Sequence, residues 1–102
     1  MTRRRVRFTA TAQQHVRLFQ QWWQENSLRP EILHQDLGEA IKLLSAFPGM
    51  GSPYPQATLP DVRRLYLERL RSHLYYTYDE REVVIRALWH TSRGSGPDLA
   101  AG

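Results

Sequence analysis

VVIRALWH, residues 83–90, followed by TSRGSGP, residues 91–97, is the stretch on which the architecture turns. Its alternation puts Val83, Ile85, Ala87 and Trp89 on one side of a strand. Val84, Arg86, Leu88 and His90 take the other. Arg93 follows in a loop with Gly94, Gly96 and Pro97. A histidine and an arginine at a strand end can be a catalytic pair, a docking surface or a structural terminus.

Two more alternating runs precede it. Residues 62–68 place Leu65 and Leu67 opposite Arg64, Tyr66 and Glu68. Residues 72–78 place Leu74, Tyr76 and Tyr78 opposite His73, Tyr75 and Thr77. The charged turn Asp79-Glu80-Arg81-Glu82 links the last two, so the three runs read as an antiparallel meander.

Upstream, residues 6–9 read as a short strand. Ala12, Val16, Phe19 and Trp23 then recur on one face of a helix. Either Thr9 or Thr11 can cap it, Thr11 with Gln14 in capping-box spacing. The helix fades at Asn26-Ser27. Pro30 sits where a first helical residue belongs, with Glu31 beside it. Leu33, Leu37, Ile41 and Leu44 mark a second helix, which Phe47-Pro48-Gly49 stops. The short link predicts an antiparallel helical hairpin. Residues 48–60, with four prolines and two glycines, read as a defined irregular loop long enough to be functional.

The expectation is one α+β domain over residues 1–102, with both helices on one sheet face. At this length folding removes ~65% of the unfolded chain's surface from water, enough for one core without staples. The second face then collects Arg64, His73, Tyr75, Arg86 and His90, uncovered by either helix and suited to a phosphate backbone. Arg86 and His90 form one cationic patch in this reading, unless Arg86 pairs across strands with Glu68 or Asp79.

The chain has no cysteine and a formal charge of +4, which excludes disulfides and thiolate metal sites and fits a reducing compartment. Thirteen arginines stand against one lysine, Lys42. Arginine grips phosphate and carboxylate bidentately, which suits nucleic acid or an acidic protein; a GC-rich genome gives the same bias. The basic start MTRRRVRFTATAQQ lacks the apolar stretch of a secretory signal. No apolar run approaches the ~20 residues of a membrane span. The expected location is the cytoplasm. Arg3, Arg4, Arg5 and Arg7 are a solvated basic end or a nucleic-acid arm. His15 and His34 are given no metal role, and no cofactor is expected. Trp23 belongs to the core stripe; Trp22, about 100° away, is core edge or an exposed anchor.

The collinear set Val6-Arg7-Phe8-Thr9 with Ala12, Trp22-Trp23, Ala40, Leu43-Leu44 and Pro48-Gly49-Met50-Gly51, continued by Val62-Arg63-Arg64-Leu65, His73-Leu74-Tyr75-Tyr76 and residues 85–90 with Arg93, resembles the RelE/ParE superfamily of toxins from type II toxin–antitoxin systems. The resemblance covers nearly the whole chain. It implies a growth-inhibiting, plasmid-stabilising bacterial toxin silenced by an antitoxin whose C-terminal segment wraps it, with no small-molecule substrate. RelE-like members cut mRNA on the ribosome; ParE-like members poison DNA gyrase; an inactive relative would keep only the fold and antitoxin binding.

Cleavage by the 2′-hydroxyl needs a base, an acid and cations on the phosphorane. By resemblance, His90, Arg93, His73 and Arg64 would serve a nuclease here. The departures are His73 where nucleases carry arginine, the absence of their lysines, and no tyrosine after His90. His90, Arg93 and Pro97 look closer to the ParE-like pattern, which has no proton-transfer role. The expected binding surface, for target or antitoxin, is Trp22, Arg64, His73, Tyr75, Arg86, His90, Arg93 and Pro97.

Overall fold

Thr9 joins the first strand to the first helix. Its Oγ1 accepts the backbone N–H of Ala12 at 3.1 Å, the N-cap bond that satisfies a first-turn donor. Thr9 rather than Thr11 is therefore the cap. The computed structural model describes residues 3–99; the first two residues of the basic start and the last three of the expected 1–102 unit lie outside the described residues. Strand β1 is Arg5–Phe8 and helix α1 Ala10–Asn26. Ser27 ends α1, its N–H donating to Trp23 O at 2.9 Å. Pro30, with φ −64°, leads into α2, Glu31–Ala46. β2 (Ser52–Pro53), β3 (Arg63–Leu67), β4 (Ser72–Tyr78) and β5 (Glu82–His90) follow.

The five strands form one sheet in the order β1-β5-β4-β3-β2. β3, β4 and β5 make the expected antiparallel meander. β1 joins parallel to β5, with Val6 beside Val83 and Phe8 beside Ile85; the two helices lie in this crossover. The α+β class and the order of strand, helices and meander are as expected.

The loop of residues 48–60 is more regular than expected. A 3₁₀ turn over Pro48–Met50 leads into β2, which pairs with β3. Proline is tolerated in β2 because it is an edge strand. The loop is held from inside: Tyr76 Oη donates to Pro48 O at 2.6 Å and accepts the Gly51 N–H at 2.9 Å. Burial pushes the Tyr76 phenol above its ordinary pKa. A Cβ at Gly51 would sit 2.5 Å from that phenol oxygen and 2.8 Å from Arg64 O, so only glycine fits.

The main core lies between sheet and helices: Ala12, Leu33, Leu37, Ala40 and Leu44 meet Leu67, Leu74, Tyr76, Val83, Ile85 and Leu88. Two expectations are corrected here. Tyr75 is opposite Ala87 but Tyr76 is opposite Ile85, so Arg86 is an extra residue, a β-bulge. A one-residue insertion reverses the facing of everything beyond it. Leu88 therefore joins the helix-side core, and Ala87 and Trp89 go to the other face. His90, two residues after Leu88, comes to the helix side, against Phe19. It does not share a face with Arg86, and their joint patch is not formed.

Nor is the second face bare. Val62, Tyr75, Ala87 and Leu99 form a smaller buried cluster, with Tyr54, Ala57, Leu59 and Trp89 packed on it. The loop and the chain's last described residues cover that half. Tyr75, expected at an open surface, is only 2% exposed.

Candidate functional site

β1 pairs with β5 only as far as Phe8 and Ile85, with Thr9 N donating to Ile85 O at 3.0 Å. Beyond that point α1 lies along the edge of β5. His15 Nδ1 accepts the N–H of Leu88 at 3.3 Å, standing in for the missing strand. That bond places the ring proton on Nε2. Burial, and then the charge of Arg93, lower the His15 pKa.

A groove of about 370 Å³ opens beside this contact. Leu18, Phe19 and Trp22 of α1 form one wall, Leu88 and His90 the other, and Ser92 and Arg93 the rim. Trp22 is 54% exposed and Leu18 57%, so Trp22 stands at the surface rather than at the core edge. It stands edge-on to Phe19 at 6.4 Å. His90 Nδ1 accepts the Ser92 N–H at 3.0 Å and lies 2.7 Å from Ser92 Oγ. Its Nδ1 is thus occupied by the turn. An exposed apolar patch with a polar rim and a tryptophan is the composition of a protein-binding surface.

Sequence reasoning missed His15 and Leu18. The signal was present: His15, Leu18, Phe19 and Trp22 follow i, i+3, i+4, i+7 spacing, a second stripe beside the core stripe.

The remaining candidates lie on the opposite sheet face. Arg64 Nη1 donates to Tyr75 Oη at 3.4 Å, with its guanidinium 5.1 Å from the centre of the Tyr54 ring. His73 lies 5.1 Å from the Tyr66 ring and 6.0 Å from Tyr75; burial, then Arg64, lower its pKa. Arg86 Nε donates to Thr77 Oγ1 at 3.0 Å instead of pairing with Glu68 or Asp79. Arg93, at the end of the sheet, lays its guanidinium 4.2 Å from the Trp89 ring centre. Pro97 is half-buried in the tail, whose Ser95 O accepts the Trp89 Nε1–H at 2.6 Å.

The structure thus brings Trp22, His90 and Arg93 together, and separately Arg64, His73 and Tyr75 with Arg86 on the same face. It does not bring His90 to His73 or Arg64. Among the described residues no group of three or more His, Asp or Glu side chains is placed to hold a metal ion, and no helix is long and apolar enough to cross a membrane.

Two consecutive helices on one face of a mixed five-stranded sheet make a RelE/ParE-like fold. A solved structure described as the chromosomal ParDE TA system from P. aeruginosa superposes with a TM-score of 0.66 at 22% identity, over 85% of this chain and 95% of that one. The sequence profile of the ParE toxin of type II toxin–antitoxin system, parDE, matches residues 6–94, and the chain belongs to that family. No curated protein is similar to it in sequence.

Proposed function

We propose that this chain is a toxin that arrests bacterial growth by binding DNA gyrase in the cytoplasm, without proton-transfer chemistry, and that residues 1–102 act as one domain. The observation that carries the reading is the separation of His90 from His73 and Arg64 by the thickness of the sheet. Strand-end cleavage needs acid, base and cations converging on one phosphate, and Arg93 stays protonated at working pH. His90 instead docks, through the Nε2–H left free by its bond to Ser92.

A cognate antitoxin neutralises the toxin in this reading. The groove of Leu18, Phe19 and Trp22 with Arg93 on its rim suits an acidic amphipathic segment that folds on binding. Co-expression with a neighbouring small reading frame is expected to give a complex that survives moderate salt. Failure of the two soluble proteins to co-purify counts against the pair.

The target is tested by expressing the chain and following DNA replication and translation, with gyrase cleavage complexes and ribosome-bound mRNA assayed in parallel. Replication stops first, and His90→Gln keeps most of the activity, whereas loss of a proton-transfer group would cost about 10²–10⁴-fold in rate. Codon-phased mRNA cuts that vanish in His90→Gln would move the chain to the nuclease class.

A further inference from the structure

Hydrogen-bond donors line the groove between α1 and the end of β5, and the structure fixes which atom of each ring is offered. His15 Nδ1 accepts the Leu88 N–H at 3.3 Å, so its proton is on Nε2. His90 Nδ1 accepts the Ser92 N–H at 3.0 Å, which puts its proton on Nε2 as well. A backbone N–H can only donate, so both neutral imidazoles take the same tautomer and keep no free ring acceptor. Among the described residues neither Nε2 has a partner, and neither is sealed from solvent. Arg93 completes the set. It is exposed, lies 4.2 Å from the Trp89 ring centre, and enters no ion pair among the described residues. His15 packs against the same ring at 5.6 Å.

The wall beside these donors is apolar, built from Leu18, Phe19, Trp22 and Leu88. Among the described residues no Asp or Glu lines the groove. An occupant therefore brings its own acceptor, set beside a large apolar group. A carboxylate meets the donors: its two oxygens take an arginine fork and keep lone pairs for ring N–H groups. The charge fits too, since one guanidinium and two neutral imidazoles match one negative charge. A phosphomonoester carries about −1.5 to −2 near neutral pH and would be left under-neutralised. A phosphodiester strand needs cations repeated along it, and among the described residues Arg93 is the arginine that lines the groove.

We infer that the groove is a carboxylate-anchored apolar site. It takes a large apolar side chain against Trp22 and its neighbours, while an adjacent Asp or Glu of the same segment accepts from His15 Nε2, His90 Nε2 and Arg93. The inference rests on the antitoxin reading above for its source: the occupant is the antitoxin's acidic amphipathic segment. It adds the atoms that select that segment. The His90 donor is the one assigned to docking, so a seated carboxylate takes it from the target.

The test titrates the purified chain with N-acetylphenylalanine, its neutral amide, acetate and adenosine monophosphate, with the Trp22 indole N–H as the NMR reporter. The acid is expected to bind saturably, about 10-fold or more tighter than the amide, which lacks the charged hydrogen bonds. Arg93→Ala, in an exposed loop, erases most of that preference while the amide binds as before. Leu18→Ala weakens acid and amide alike, by about 4-fold. Long-range nitrogen–proton spectra show both histidines as Nε2–H tautomers. In the complex co-expressed with the neighbouring reading frame, the acid no longer shifts Trp22. The inference is overturned by absence of saturable acid binding, by equal binding of acid and amide, or by tighter binding of acetate or adenosine monophosphate. It is equally overturned by an Nδ1–H tautomer at either histidine, by an acid preference that survives Arg93→Ala, or by a complex that binds the acid as the free chain does. Failure of the two proteins to co-purify overturns the antitoxin reading and with it the named occupant, whereas the acid preference is read on the free chain without a partner. A co-purifying pair whose free toxin shows no acid preference overturns this inference alone.

Discussion

His15 shows how one side chain couples the groove to stability. Its Nδ1 can accept the Leu88 N–H only while unprotonated; protonation would set two donors against each other, with Arg93 adding repulsion. In the folded chain burial, with Arg93 beside His15 and Arg64 beside His73, holds both imidazoles below the ordinary histidine pKa. As pH falls, the unfolded chain therefore takes up these protons first. The stability is complete above the unfolded pKa and is lost as pH falls through the lowered folded values. Thermal melts are expected to show a midpoint that falls as pH is lowered through the ordinary histidine range and below it. His15→Gln, whose amide oxygen can accept the same N–H, is expected to flatten that fall in part, since His73 contributes in the same direction. An unchanged pH slope in the variant would remove His15 from this role. The residue itself was legible only as a helix-surface histidine, because its partner is a backbone N–H on a distant strand.

At the scale of elements, β5 carries the decisive irregularity. Its alternation reads as regular in sequence, yet Arg86 is inserted relative to β4. Bulges leave no unique sequence mark, because they are defined by the count of residues on the partner strand. Deletion of Arg86 would set Ile85 next to Ala87, so that the strand alternates without a break and Val83, Ile85 and Leu88 all keep to the helix side. Those three are at most 3% exposed; turning one outward would forfeit about 1.5–3 kcal/mol, and the deletion turns none. The deletion variant is therefore expected to keep cooperative unfolding in denaturant, as is Arg86→Gln, which keeps the residue count. Loss of cooperative unfolding in the deletion variant alone would show that the bulge does more than set the facing. The helices, by contrast, were readable from their own periodicity, cap and proline, all local signals.

At the scale of the whole molecule, the second face is completed by a chain end. Leu99, 4% exposed, closes a cluster with Val62, Tyr75 and Ala87, so the tail is part of the packing as well as a neighbour of His90 and Arg93. Leu99→Ala is expected to cost about 2 kcal/mol in chemical denaturation, at the low end for a core leucine because a chain end can relax into the gap. A loss within experimental error would mean the tail does not cover the face in solution. Truncation after Gly94 removes this cover together with Pro97 and is expected to abolish toxicity while β3–β5 remain paired; Leu99→Ala separates the packing contribution from the loss of tail contacts. The sequence by itself determined the order of elements, the helix faces, the breaks at Ser27 and Phe47, and the membership of Trp22, His90 and Arg93 in a candidate surface, because capping, periodicity and chain-breaking residues act over a few positions. Tertiary structure alone decided that β1 runs parallel beside β5, that His90 and His73 point to opposite faces, and that Leu99 covers Tyr75. Those outcomes depend on strand register and on contacts between residues far apart in the chain, which no local pattern encodes.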